Sequence, residues 1–302
     1  MDRNGLAACA ALLTGTLVAT LIGCSPGEPG QPVPVAATAS ASPSREASAS
    51  AAGKEALVDR DDALAKALKP LLDDDGDARV SVAVAALDGS VDGAAYDGGS
   101  AFDTASIVKV DILAALLLRA QDAGRVLTSQ ERANATAMIE NSDNASATAL
   151  WEAIGGAEGL DAANLTLGLT GTRAGAGGEW GLTQTTAADQ LTLLRAVFGP
   201  DDADSGLSGA SRAYVAGLME RTAADQRWGV SAAADSASVC ALKNGWLPRS
   251  TTGLWDINSV GRVTVGGKPY LVSVLSDGNA AKEAGVALVE GVAKAAVAVL
   301  TG

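Results

Sequence analysis

Ser106 and Lys109 stand three residues apart at the head of the run "SIVKVDILAALLLRA". On a helix, residues three apart share a face, so the amine would stand beside the hydroxyl. Lysine is costly to bury without a partner. Here its neighbours are Ile107, Val108, Val110, Ile112 and Leu113. Desolvation by such neighbours lowers a lysine pKa and makes the amine a usable base. A serine at a helix N-terminus also has free backbone N–H groups and the positive end of the helix dipole close by. Nucleophile, base and oxyanion donors could therefore come from one helix start.

The chain contains no histidine. That excludes a Ser-His-Asp triad, a Cys-His pair and any His-ligated metal site. A hydrolase built on this chain must use Lys, Glu, Asp or a hydroxyl relay as its base. No metal and no organic cofactor is implied. The formal charge of -13 argues against a nucleic-acid partner, because neutralising phosphates takes Lys and Arg. Hydrophobic residues make up 48% of the 302, enough for a sizeable core.

Two further tripeptides carry polar groups at predicted element ends. "SDN", Ser142 to Asn144, falls in a break between helical stretches. "KNG", Lys243 to Gly245, ends a predicted strand and is followed by Trp246. Each alone reads as a helix cap or a strand-ending turn. Their order is informative. A Ser-x-x-Lys helix start, then Ser-Asp-Asn among helices, then Lys-x-Gly on a late strand resembles the motif set of class A β-lactamases and penicillin-binding proteins.

The resemblance spans about residues 55 to 302 and implies an acyl-enzyme chemistry that uses no histidine. It makes Ser106 the acylated nucleophile and Lys109 its proton acceptor. It makes Ser142 a proton relay to the leaving nitrogen and Asn144 a holder of the acyl amide. Lys243 would add positive charge near a substrate carboxylate. Asn244, Gly245 and Trp246 would line the substrate site, and the backbone N–H groups of Ser106 and Trp246 would form the oxyanion hole. The implied partner is a small β-lactam or a peptide-like amide, taken by a monomer.

The chain departs from that family in three places. The Glu-x-x-Leu-Asn loop motif, whose glutamate activates the deacylating water, is missing from "LTLGLTGTRAGAGGEWGLTQTTAADQLTLL". Glu179 is the one carboxylate in that stretch before the next helix, and its neighbours do not match. Asn244 stands where the family has Thr or Ser, and Trp246 where it has a small residue. No clear equivalent of the substrate-carboxylate arginine is visible, with Arg249 and Arg262 as candidates by position. Acylation machinery without an activated water implies slow release. Two alternatives stay open: a cell-wall D,D-peptidase, and a non-catalytic binding lipoprotein on the same fold.

The elements that must position these residues are legible in outline. "MDRNGLAACAALLTGTLVATLIGC" has a basic start and an apolar stretch over 6–22, the pattern of an export signal. Its end, "LIGC", resembles a lipobox, so residues 1–23 are expected to be removed and Cys24 lipidated. That places the protein outside the cytoplasm, held to the cell membrane by a lipid. With Cys9 in the signal and Cys24 lipidated, Cys240 is left without a disulfide partner and reads as a small core residue. The Pro-, Ser- and Ala-rich residues 24–53 read as a disordered spacer.

The folded domain is expected over 54–302. Leu57, Leu64, Leu68 and Leu71 form one helical stripe. Val80, Val82 and Val84 alternate as a half-buried strand, and a short strand follows around Tyr96. A helical middle runs from about 106 to 225. Strands then return, the last two joined at Gly266–Gly267, before a final helix. Strands at both ends and helices between predict an α+β fold. One antiparallel sheet is built from both chain ends, with terminal helices on it and an all-helical insert beside it.

Overall fold

The computed structural model describes residues 45–74, 76–200, 205–236 and 238–302. The predicted signal, Cys24 and most of the predicted spacer lie outside the described residues. Helix α1 spans Arg45–Asp74, so the last part of that spacer, 45–53, is helical. The segment "REASASAAG" is rich in alanine, the best helix former, which continues the helix backwards from Lys54.

The sheet order is β2-β1-β7-β6-β5, all antiparallel. Strands β1 (Arg79–Ala86) and β2 (Ala94–Tyr96) come from before the helical middle. Strands β5 (Ala241–Pro248), β6 (Trp255–Val265) and β7 (Lys268–Asn279) come from after it. Gly266 and Gly267, at φ 59° and 76°, turn β6 into β7, as the glycine pair predicts. A separate two-stranded ribbon pairs β3 (Phe102–Asp103) with β4 (Gln184–Thr185).

Strand β1 is buried on both faces, not one. Val80, Val82 and Val84 pack with Leu64 and Leu68 of α1 and with Leu288, Val289 and Val292 of α8 (Lys282–Thr301). Ala83 and Ala85 face a second core against the helical unit. The small alanines allow close helix approach on that side, so alternation of size replaces alternation of polarity. Helix α8 is long and apolar enough to cross a membrane, yet its apolar stripe is buried against the sheet.

The helical unit holds α2 (Val108–Asp122), α3 (Ser129–Glu140), α4 (Asn144–Ile154) and α5 (Gly156–Leu167). It continues with α6 (Ala187–Phe198) and α7 (Gly209–Glu220). Helix α2 is almost wholly buried and forms its axis. Cys240 is free and half-buried, one residue before β5. It is not the fully buried core residue that its flanking pattern predicts.

Candidate active site

The chain enters α2 through a 3-10 turn, Ala105–Ile107. Ser106 lies in this turn and Lys109 in the first turn of α2, so the two side chains share a face. Ala105 just before the serine sits at φ 47°, a left-handed conformation that non-glycine residues seldom adopt. Ser142 is also left-handed, at φ 57°. Such residues persist only where their surroundings hold them, and they cluster at functional sites.

Lys109 is fully buried, and its Nζ reaches four acceptors. Ser106 Oγ lies at 2.9 Å, Ser142 O at 2.7 Å, Asn144 Oδ1 at 2.8 Å and Ser142 Oγ at 3.1 Å. The two carbonyl oxygens can only accept, so they fix two N–H bonds of the amine. The neutral amine then has a lone pair left for the Ser106 hydroxyl. Burial lowers the Lys109 pKa to about 8, with Asp143 opposing the shift. The base state is therefore accessible near neutral pH.

Ser142 and Asn144 reach Lys109 because α3 ends at Glu140 and α4 begins at Asn144, leaving a three-residue break. Asp143 caps α4, accepting from Ser146 N at 2.7 Å. Hydrogen bonding by Ser146, from its side chain first and its backbone second, holds the carboxylate below the usual range. From the sheet side, Lys243 Nζ donates to Ser142 Oγ at 3.0 Å and to Asn244 O at 2.8 Å. Its pKa lies well below the ordinary lysine value, through burial and then through Lys109 nearby. Ser142 Oγ thus bridges the two amines.

Gly245 has a steric reason to be glycine. A Cβ there would lie 2.8 Å from both Ser106 N and Thr104 O. Strand β5 therefore presses its backbone against the turn that carries Ser106. Beside it a groove of about 300 Å³ opens over Ser106, bordered by Asn144, Glu179, Trp180, Trp246 and Leu247.

Asn244 departs from its expected place. Its neighbour Lys243 faces Ser142, so strand alternation turns Asn244 to the opposite face. There it is fully buried, donating to Gln226 O at 2.7 Å and Trp228 O at 3.0 Å. Its Oδ1 accepts from Ser259 Oγ at 2.6 Å. Its side chain is taken up by these internal bonds and does not border the groove. Trp246 borders the groove and also packs near Trp228, ring centroids 6.1 Å apart, with Lys282 Nζ 4.3 Å from its ring centroid.

Neither arginine candidate is free for a substrate carboxylate. Arg249 is paired with Asp103 and, at 3.3 Å, with Asp256. Arg262 is paired with Glu220 at 2.6 Å. A larger pocket of about 400 Å³ contains the Arg249 cluster together with Arg79 and Asp277. It holds none of the predicted catalytic side chains.

Trp180 is a residue that the motifs do not reveal. It lies on the short loop before β4, with its ring centroid 5.0 Å from Lys109 Nζ. Its indole N–H donates to Thr148 Oγ1 on α4 at 3.2 Å. The only available signal is an aromatic residue in an otherwise small and polar loop. Glu179 beside it is exposed.

A family model described as "Beta-lactamase enzyme family" matches residues 130–300. The chain belongs to the beta-lactamase enzyme family. The fold is shared with solved members. A class A beta-lactamase from Bacteroides cellulosilyticus is 18% identical, with 80% of this chain and 98% of that chain covered at a TM-score of 0.68. A beta lactamase from Xanthomonas campestris is 22% identical, covering 80% and 99% at 0.65. A PBP-A mutant, solved as an acyl-enzyme complex with penicillin G, is 22% identical, covering 77% and 94% at 0.63. A search of curated protein sequences finds no match.

Proposed function

We propose that this beta-lactamase family member is a serine acyl-enzyme that opens β-lactams, or cleaves related D-amino acid amides, at Ser106. The observation that carries the reading is the 2.9 Å contact from Ser106 Oγ to a buried amine whose other N–H bonds are held by carbonyls. Neutral Lys109 takes the Ser106 proton as Oγ bonds to the carbonyl carbon. The backbone N–H groups of Ser106 and Trp246 receive the oxyanion. Ser142 passes a proton from the amine pair to the leaving nitrogen, and the C–N bond breaks.

Release is slow in this reading. Among the described residues, no carboxylate hydrogen-bonds to Ser106 or Lys109, so no second base of that kind holds a water there. The cellular setting completes the proposal. Residues 1–23 act as a cleaved signal, Cys24 carries a lipid, and residues 54–302 work as a monomer outside the cytoplasm on the membrane surface. No nucleic-acid partner and no cofactor is involved.

The test is intact-protein mass after incubation with a penicillin and with a cephalosporin, beside Ser106→Ala. A persistent adduct in wild type that is missing from the variant supports acylation with slow release. Neither adduct nor drug consumption overturns the β-lactam reading. The inward turn of Asn244 favours one second reading, a binding lipoprotein that uses the groove without covalent chemistry. That reading requires the wild-type mass to stay unchanged with every amide tried.

A further inference from the structure

We infer that Trp180 is the residue that keeps water from the acyl-enzyme, so that this groove holds its acyl group rather than releasing it. The inference rests on the acyl-enzyme reading above. Release requires a water oxygen to bond to the acyl carbonyl carbon and the bond from that carbon to Ser106 Oγ to break. One water proton passes to a base, and a proton returns to Oγ. Lys109 is the basic group in contact with Ser106. Its polar contacts are already taken by Ser106, Ser142 and Asn144. The indole of Trp180 covers a further side, 5.0 Å from Nζ.

An indole face attracts the lysine cation but offers no acceptor to a water proton. A water poised for attack needs a polar partner on that side, and the ring supplies none. Nor is the ring free to swing away. Its N–H is tied to Thr148 Oγ1 at 3.2 Å. The loop beneath is closed by Leu182 N donating to Glu179 O at 2.9 Å and Thr183 N donating to Trp180 O at 3.1 Å. Trp180 and Ser106 border the same groove, so the ring stands beside the place where the ester forms. Glu179 is next in sequence but exposed, with no hydrogen bond to Ser106 or Lys109 among the described contacts.

The experiment follows adduct formation and decay by intact mass, using the full-length chain in detergent and a penicillin as probe. It compares wild type with Trp180→Ala, Trp180→Phe, Trp180→Glu and Glu179→Gln, and checks folding by thermal melting. Trp180→Ala is expected to shorten the adduct lifetime about tenfold while the acylation rate stays within about threefold. That split is one a general loss of structure would not give. Trp180→Phe keeps a ring but loses the bond to Thr148, and is expected to shorten the lifetime less than Trp180→Ala does. Trp180→Glu sets a carboxylate base at the gap and is expected to shorten the lifetime about a hundredfold. Glu179→Gln tests the neighbouring carboxyl as a releasing base and is expected not to lengthen the adduct lifetime.

An unchanged lifetime in folded Trp180→Ala and Trp180→Glu overturns the inference and leaves the acyl-enzyme reading standing. So does a longer lifetime in Glu179→Gln. Drug consumption by wild type without an adduct also overturns it, because release would then be fast. No wild-type adduct and no consumption overturns the acyl-enzyme reading, and this inference with it.

Discussion

The two walls of the groove are built differently. Behind one wall, where Ser106 borders the groove, Ser106, Lys109, Ser142 and Lys243 form a continuous polar chain with every link between 2.7 and 3.1 Å. They come from α2, the α3–α4 break and β5, all elements anchored in the buried cores. On the other wall, Glu179, Trp180 and Gly181 sit on a short loop and send no hydrogen bond to the nucleophile. The first wall has what forming an ester requires. The second has an aromatic ring where breaking the ester would require a base. In the proposed acyl-enzyme reading, acylation and release thus depend on separate parts of the chain, and only the first part carries a base.

That contrast can be broken most directly at Lys109. Lys109→Ala is expected to slow adduct formation on the order of a thousandfold, the typical loss of a positioned general base. A variant that acylates at the wild-type rate would remove Lys109 from the chemistry.

A pH profile tests the same point without mutation. Lys109 must be neutral to accept the proton, and its pKa is lowered to about 8. Acylation should rise with pH through about 8 and level off above it. At pH 6 it should be on the order of a hundredfold slower than the plateau. A flat profile from pH 6 to 9 would mean that another group acts as base.

The root of the loop wall can be probed through Asp111. This carboxyl is fully buried in α2 and accepts from Gln190 Nε2, at 3.2 Å and 3.5 Å. Gln190 joins it to Thr185, and Thr185 to Thr172. Burial raises the Asp111 pKa from 3.8 to about 7. The folded state therefore binds this proton more tightly than the unfolded chain. The contribution is full below about pH 4 and is lost as pH rises toward 7, leaving a charge buried above that. Asp111→Asn should stabilise the protein at pH 8 on the order of a few kcal/mol and flatten that pH dependence. Equal melting temperatures of the two proteins at pH 4 and pH 8 would contradict it.

Two glycine replacements sharpen the comparison at smaller scale. Gly245→Ala puts a methyl 2.8 Å from the backbone of Ser106 and Thr104. It should cost about 1–3 kcal/mol and slow acylation, because backbone atoms cannot step aside. Gly181→Ala meets nothing within 4 Å and has no left-handed φ. It should change stability by less than about 0.5 kcal/mol. Equal melting temperatures for the two variants would erase the proposed difference between the walls.

Much of the first wall is legible in the sequence. Motif order alone puts Ser106, Lys109, Ser142, Asn144 and Lys243 in one place, and the structure brings their polar atoms together. Strands at both ends and helices between are enough to predict the sheet. Other features are less legible for identifiable reasons. Asn244 follows Lys243, and the period of a strand sends it to the far face, a rule that a motif reading passes over. The two-sided burial of β1 hides behind alanines, which look weakly hydrophobic yet permit close packing. Trp180 meets Lys109 across 71 positions of sequence, and a loop carries no periodicity to announce such a contact. Asp111 meets Gln190 across 79 positions, again with no local pattern to announce the contact.

The sheet drawn from both chain ends also sets when the groove can exist. Arg79 pairs with Asp277, and β5 reaches the nucleophile's turn through Gly245. Pairings so distant in sequence come late and slowly in folding. Until the last strands are made, Ser106 has a lysine nearby on its own helix but no opposing wall and no Lys243. A chain stopped before β5 therefore lacks Trp246 and Leu247, which border the groove. The groove thus takes shape only after synthesis has passed β5.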